Sequence, residues 1–199
     1  QKDDIAQANL TARRAYEADA YLSSARDILW RLWSTSYDLE NRTQSRDWCE
    51  EGRGRFPEDP RFYQCRLWNM TSRAVDPDVE EAWRLLEGGL DRTPEPERGL
   101  ARLQLQTLVA GALARASMPD SARAVLARSE PDPDLDPSRE LLVSQAFVLT
   151  LLDDRSGAIE LLGRYLTFNP ERRAGFAEHG HWWWRELRGD PAFRALVGD

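Results

Sequence analysis

The hydrophobic positions of this chain repeat one motif at helical spacing. A small residue is followed four positions later by a large apolar or sulfur residue and, about eight positions further on, by a proline. The four instances are Ser45/Cys49/Pro57, Ala82/Leu86/Pro94, Ala122/Leu126/Pro133 and Ala158/Leu162/Pro170. They recur about every 36 to 40 residues, a period typical of stacked helical hairpins. In such an array each hairpin needs a neighbour to cover its apolar face. The pattern therefore predicts the architecture, and we expect any binding function to lie in an exposed groove.

Glycine, proline and four of the five Asp-Pro pairs predict where the helices begin and end. The chain has no glycine before Gly52 and no proline before Pro57, so its first part is expected to be helical. An Asp-Pro pair joins an N-cap acceptor to a residue suited to the first helical position. These pairs are Asp59-Pro60, Asp76-Pro77, Asp136-Pro137 and Asp190-Pro191. The predicted helices lie near 3–22, 25–39, 43–55, 60–73, 77–92, 96–116, 119–129, 137–152, 155–168, 181–188 and 191–197.

The helices and the motif together predict an all-α fold. We expect an N-terminal helix at 1–24, about four hairpins within 25–170, and a C-terminal cap at 171–199. The hairpins are expected at 25–58, 60–95, 96–134 and 137–170.

Charge and hydropathy narrow the expected partners. The 27 basic and 34 acidic side chains give a net charge of −7, which disfavours nucleic acid and anionic membranes as partners. The most apolar run, 141–152, is too short for a membrane span and contains Ser144, Gln145 and Thr150, so direct membrane insertion is not expected. Lys2 is the only lysine, which indicates the coding bias of a GC-rich genome. A chain that begins at Gln1 rather than Met is expected to be a processed product or a fragment, and a cytoplasmic or extracytoplasmic location stays open.

The two cysteines admit two interpretations. Cys49 and Cys65 match no usual metal-ligand spacing, and the hairpin model places them on helices that pack together. In an oxidising compartment a disulfide would join two repeats and contribute about 3 kcal/mol in the entropy model. In a reducing compartment they would be two buried thiols that behave as small apolar residues.

No metal site is expected from the acidic and histidine clusters. The acidic run Asp132, Asp134, Asp136 and Glu140 would need a glycine at Pro137 and a glutamate at Val143 to form a calcium-binding EF-hand loop. It is therefore interpreted as a linker in which Asp136 caps a helix.

His179 and His181, with Glu178 just before them, lack a third ligand at a credible spacing and are interpreted as a polar loop. The chain also has no phosphate-binding glycine loop, no nucleophile elbow and no plausible Cys–His pair. We therefore expect no cofactor, no catalytic residues and no enzymatic activity.

Three consecutive indoles, Trp182, Trp183 and Trp184, form the densest aromatic cluster of the chain. Successive helical residues turn by about 100°, so at least one of these rings should be partly exposed. The cluster is interpreted either as a cap on the last repeat or as a stacking platform for a partner or a sugar.

The last hairpin carries a resemblance to a known family. Leu142, Ala146 and Leu149, followed by Ala158, Leu162 and Pro170, resemble the tetratricopeptide repeat. The resemblance covers roughly residues 25–170 and weakens around Phe62, Cys65 and Trp68, where Arg66 and Asn69 interrupt the apolar stripe. It implies a right-handed α-solenoid. The tail from Trp184 to Leu196 looks like the end of the tetratricopeptide regions of bacterial signalling proteins such as eukaryotic-like serine/threonine kinases.

The resemblance also implies a concave groove lined by the first helix of each hairpin. Its residues would be Trp30, Ser34, Tyr37, Tyr63, Arg66, Gln104, Thr107, Glu140, Val143 and Phe147. The leading hypothesis is a non-enzymatic scaffold or sensory module that binds a partner peptide or helix in this groove, and simple packing is the alternative role of each residue. A sensor for a carbohydrate or aromatic ligand that uses the three indoles, and a self-assembly module, are the alternative functions.

Overall fold

The computed structural model describes residues 2–18, 23–130, 132–178 and 181–198, and these contain α-helices, short 3₁₀ turns and no strand. The all-α prediction is confirmed for this part of the chain. The solenoid and its handedness stay predictions. The chain divides into two compact units, Gln1–Thr93 and Pro94–Asp199, and the division falls close to the predicted boundary between the second and third hairpins.

The first unit consists of an N-terminal helix and two hairpins. Its helices are α1 (Lys2–Ala18), α2 (Ala25–Asp38), α3 (Arg42–Arg55), α4 (Arg61–Thr71) and α5 (Val79–Arg92). Helix α1 packs on α2, the pairs α2/α3 and α4/α5 form the hairpins, and α4 contacts both α2 and α3. The first helices of consecutive hairpins, α2 and α4, are therefore neighbours.

The second unit repeats this arrangement and adds a C-terminal segment. Its helices are α6 (Arg98–Arg115), α7 (Pro119–Leu126), α8 (Glu140–Leu151), α9 (Arg155–Phe168), α10 (Arg173–Glu178) and α11 (Pro191–Val197). The pairs α6/α7 and α8/α9 form the hairpins, α6 contacts α8, and α11 packs on α9 and α10. A helix at 181–188 was expected, but only Trp182–Trp184 form a 3₁₀ turn, and α10 was not predicted.

The repeated motif marks the places where the helices approach each other closely. Its four small residues, Ser45, Ala82, Ala122 and Ala158, are all buried. Of the large residues, Cys49, Leu86 and Leu162 are buried and Leu126 is half-buried, whereas all four prolines are exposed. Small side chains at helix crossings let the axes approach, and the larger residue one turn later fills the space beside them.

Asp-Pro pairs mark helix starts less uniformly than expected. Asp190 caps α11 as predicted, with its carboxylate accepting a hydrogen bond from the Ala192 N–H at 2.8 Å. Helix α5 begins after Asp78 instead of Asp76-Pro77, because Asp78 accepts the Glu81 N–H at 2.8 Å. Asp136 caps α8 from four to five residues upstream, accepting the N–H groups of Glu140 at 3.2 Å and Leu141 at 2.8 Å.

Two glycines in α3 are expected to respond oppositely to replacement by alanine. A Cβ on Gly52 would overlap the ring of Phe62, which is fully buried and cannot move aside, whereas a Cβ on Gly54 would meet no atom within 4 Å. We expect Gly52→Ala to lower the free energy of unfolding by about 1–3 kcal/mol through overpacking. We expect Gly54→Ala to raise it by about 0.5–1 kcal/mol, because alanine is the better helix former.

Urea unfolding followed by circular dichroism measures both effects, and Gly54→Ala is the matched control because it lies on the same helix. Equal stabilisation by the two substitutions would show that the α3/α4 contact is looser than described.

Candidate functional site

Trp30 is the aromatic side chain at the centre of the predicted groove in the first unit. It lies on α2 on the same face as Ser34 and Tyr37, four and seven residues later. Its ring is half-buried, with the ring centroid of Trp33 4.4 Å away and that of Phe62 6.5 Å away in a T-shaped arrangement. Contacts on these sides fix the orientation of the indole while part of it stays open to solvent.

Arg61, at the start of α4, covers another side of Trp30. Its guanidinium carbon lies 5.7 Å from the Trp30 ring centroid, within the range of a cation–π contact. Asp59 and Asp27 hold the guanidinium in this position, because Arg61 donates to Asp59 at 2.8 Å and to Asp27 at 3.0 Å. Burial opposes the ionisation of Asp59, but the hydrogen bonds from Arg61 outweigh it and lower the pKa of this carboxyl. Arg61 was not among the predicted groove residues, although its position directly after the Asp59-Pro60 pair could have suggested it.

The other two predicted groove residues on α2 are less accessible than Trp30. Ser34 is half-buried and its hydroxyl donates to the Arg31 carbonyl at 3.2 Å. Tyr37 is buried, its hydroxyl lies 3.3 Å from the Thr71 hydroxyl, and its ring packs against Trp33 and Trp68. Tyr37 therefore joins α2 to α4 and, as placed, offers little surface to a partner.

Tyr63 and Arg66 of α4 lie against the second helices of the two hairpins. The Tyr63 ring has the guanidinium of Arg92 on α5 at 4.8 Å and that of Arg53 on α3 at 5.9 Å. Arg66 binds both carboxylate oxygens of Glu81 on α5, at 3.1 and 3.0 Å. The resemblance placed these two residues on one face with Trp30, whereas the structure turns them toward α3 and α5.

Two other residues of α4 contact α2. Arg61 reaches Trp30, and Trp68, a half-buried ring, lies 5.8 Å from Tyr37. We call Trp30 of α2 and Trp68 of α4, together with Arg61 of α4, the aromatic face of the first unit. Trp68 lies where the resemblance to the tetratricopeptide repeat weakens, and the residue pattern does not place it in the predicted groove.

Asn69 explains why the apolar stripe of α4 is interrupted. Its buried side chain accepts hydrogen bonds from Trp33 Nε1 at 3.1 Å and from the Ser45 hydroxyl at 2.5 Å, and it donates to the Ser45 carbonyl at 3.2 Å. The Asn69 side chain thus joins helices α2, α3 and α4, and its hydrogen bonds to them satisfy its buried polar atoms. The interruption is structural, and no ligand is needed to account for it.

The predicted groove residues of the second unit differ in exposure. Gln104 and Val143 are half-buried, and Val143 packs against the core cluster of Leu142, Tyr165 and Leu166. Thr107 is fully buried and its hydroxyl donates to the Leu103 carbonyl at 2.9 Å.

Glu140 is exposed and links α8 to α9. Its carboxylate accepts a hydrogen bond from the Tyr165 hydroxyl at 2.9 Å. Burial, and then the nearby carboxylate, raise the pKa of Tyr165 to about 12, so the phenol remains a donor at neutral pH.

Phe147, the last predicted groove residue, is covered by the C-terminal indoles. The Trp183 ring is stacked on Phe147 at 4.5 Å and 12°, and the Trp182 ring meets it edge-on at 5.3 Å. Trp182 and Trp183 are half-buried, whereas Trp184 is buried with its ring 5.7 Å from that of Phe176. Trp182 and Trp183 thus stay partly exposed to solvent, whereas Trp184 is packed into the unit.

A disulfide joins Cys49 of α3 to Cys65 of α4, with the two Cα atoms 5.9 Å apart. Both side chains are fully buried. The bond connects the first hairpin to the second. It lies near the contact between Gly52 of α3 and Phe62 of α4.

The acidic run at 132–140 and the histidine pair do not form a metal site within the described residues. No group of three or more histidine, cysteine or acidic side chains among them could hold a metal ion. Asp136 is buried and occupied as a helix cap, and His181 accepts the Trp183 N–H at 3.3 Å. His179 lies outside the described residues.

None of the helices within the described ranges combines the length and apolar character that a membrane span requires. Comparison with protein-family models, curated proteins and solved structures finds no match for this chain.

Proposed function

We propose that this chain is a non-enzymatic protein-interaction module that binds a partner peptide or helix on the face formed by α2 and α4, the first helices of the two hairpins in its first unit. The observation that carries the proposal is the environment of Trp30. Its indole is partly open to solvent and is held in one orientation by Trp33, Phe62 and Arg61.

An aromatic ring held in this way suits a binding hot spot. Tryptophan and arginine are the residues that most often dominate the free energy of protein interfaces. A ring that is already ordered loses little conformational entropy when a partner packs on it. The ion pairs of Arg61 with Asp59 and Asp27 order the cation in the same way.

The partner is expected to present apolar or aromatic side chains together with a hydrogen-bond acceptor. The half-buried rings of Trp30 and Trp68 would take the apolar groups. Ser34 lies on the same face of α2 as Trp30, and its hydroxyl would turn from the Arg31 carbonyl to donate to a peptide carbonyl.

Selection from a phage-displayed random peptide library on the full chain tests this proposal. We expect enriched peptides to lose about thirtyfold or more in affinity when Trp30 is changed to alanine, the loss typical of a hot-spot residue. Ser34→Arg, which fills the same face without removing a packed ring, should also reduce binding.

Trp83→Ala is the matched control, because Trp83 is also a partly exposed indole, at 38%, but lies on α5. This variant should bind the selected peptides as the wild type does. If the peptides bind folded Trp30→Ala and Ser34→Arg proteins with unchanged affinity, the assignment of this face is incorrect.

A further inference from the structure

Phe168, the last residue of α9, has the most exposed large apolar side chain among the described residues, at 61%. The guanidinium carbon of Arg139 lies 4.9 Å from the ring centroid, and Arg164, four residues earlier on the same face of α9, is exposed. Neither arginine forms an ion pair with another described residue, and the carboxylate of Glu140 is bound to the Tyr165 hydroxyl at 2.9 Å. We call Arg139, Arg164 and Phe168 the basic patch of the second unit.

An acidic patch precedes Arg139 in the connection between α7 and α8. It consists of Asp132 and Asp134, which are exposed, and Leu135, an apolar side chain with 38% exposure. The Asp132 carboxylate accepts the Asp134 N–H at 2.9 Å, which orders the turn. Neither carboxylate forms an ion pair with a cation of the described residues. The acidic patch thus presents two unpaired negative charges beside an apolar group.

The two patches adjoin each other on the second unit. Leu135 and Arg139 are four residues apart in sequence, so even an extended chain would separate their Cα atoms by at most about 14 Å. The side-chain amide of Asn169 donates to the Ser138 carbonyl at 2.9 Å and ties the end of α9 to this connection. Opposite charges and two exposed apolar groups therefore lie close together on one surface, and the charges do not pair among the described residues.

We propose that this surface joins two copies of the chain, with the acidic patch of each copy lying on the basic patch of the other. The two patches are complementary in charge, because the two aspartates would pair with the two arginines across the contact. Leu135 of one copy would cover the exposed ring of Phe168 of the other. Since the patches adjoin, a single two-fold axis brings both pairs of patches together, and such a contact closes at a dimer.

Local complementarity has to supply the attraction in this dimer. Each chain carries a net charge of −7, so two copies repel each other at long range. Association is therefore expected only where negative charges of one copy meet the arginines of the other.

Sedimentation equilibrium of the full chain over a range of protein concentrations tests the proposal. We expect a monomer–dimer equilibrium for the wild type. Asp132→Arg with Asp134→Arg should weaken dimerisation at least about tenfold, because like charges then face each other across the contact. Arg139→Glu with Arg164→Glu should do the same for the opposite reason. An equimolar mixture of these two variants should form heterodimers, since each patch again meets its opposite charge.

A third variant and a matched control accompany the charge reversals. Phe168→Ser should weaken dimerisation while the chain stays folded, because the ring is already exposed in the single copy. Arg14→Glu with Arg42→Glu changes the net charge by the same amount at two exposed arginines of the first unit, and it should leave dimerisation unchanged.

A wild type that stays monomeric at every concentration would overturn the proposal. So would folded charge-reversal or Phe168→Ser proteins that dimerise as the wild type does, or a mixture of the two charge-reversal variants that forms no heterodimer. Because these experiments report on the second unit and the peptide selection reports on Trp30, either proposal can fail while the other succeeds.

Discussion

Replacing Leu162 with alanine is expected to lower the free energy of unfolding by about 2–5 kcal/mol, among the largest effects of any single substitution in this chain. Leu162 has 0% exposure and lies one helical turn after Ala158, which is also fully buried. The deleted atoms leave a cavity that neighbouring helices can fill only by moving, so the loss exceeds the transfer free energy of the side chain.

Leu126 provides a matched control for this substitution. It occupies the same motif position, four residues after Ala122, but it is half-buried. Leu126→Ala should therefore cost clearly less than Leu162→Ala when both are measured by urea unfolding. Equal losses in the free energy of unfolding would mean that the motif position of a leucine, and not its burial, determines how much it contributes to stability.

Removal of the Cys49–Cys65 disulfide is the second large expected effect. The bond closes a loop with a sequence separation of 16. In the chain-entropy model a loop of this length contributes about 3 kcal/mol by restricting the unfolded state. The double substitution Cys49→Ala and Cys65→Ala should lower the free energy of unfolding by about that amount. Alanine is suitable because both sites are fully buried and tolerate no new polar group.

A reducing agent provides an independent measurement of the same effect. It should lower the unfolding midpoint of the wild type and leave that of the double alanine variant unchanged. A thiol titration of the denatured wild type should find no reactive thiol. Detection of two thiols in protein isolated without reductant would contradict the disulfide.

Much of the fold could be predicted because helix signals are local. The small residues at 45, 82, 122 and 158 and the capping carboxylate of Asp190 act within one or two turns of their own helix, and the predicted helices lie close to the observed ones. The failures have local causes too. Asp78 was a stronger cap than the Asp76-Pro77 pair before it, and three bulky indoles in a row formed only a 3₁₀ turn.

The candidate site was harder to predict, because it depends on how helices are rotated against each other. Tyr63 and Arg66 were expected on one face with Trp30, and in the structure their side chains contact residues of α3 and α5. Arg61 lies over Trp30 instead. No spacing along the chain contains that information, because each contact joins residues from different helices.

The sequence by itself determined that this protein is helical and where most helices begin and end, because capping, helix propensity and the spacing of small and large residues act over a few neighbouring positions. Only the tertiary structure decided which side chains stay open. Burial of Tyr37 and Phe147, the cation over Trp30 and the indoles over Phe147 all arise from residues far apart in the chain. Exposure is a property of packed surfaces, and it is settled only when helices meet.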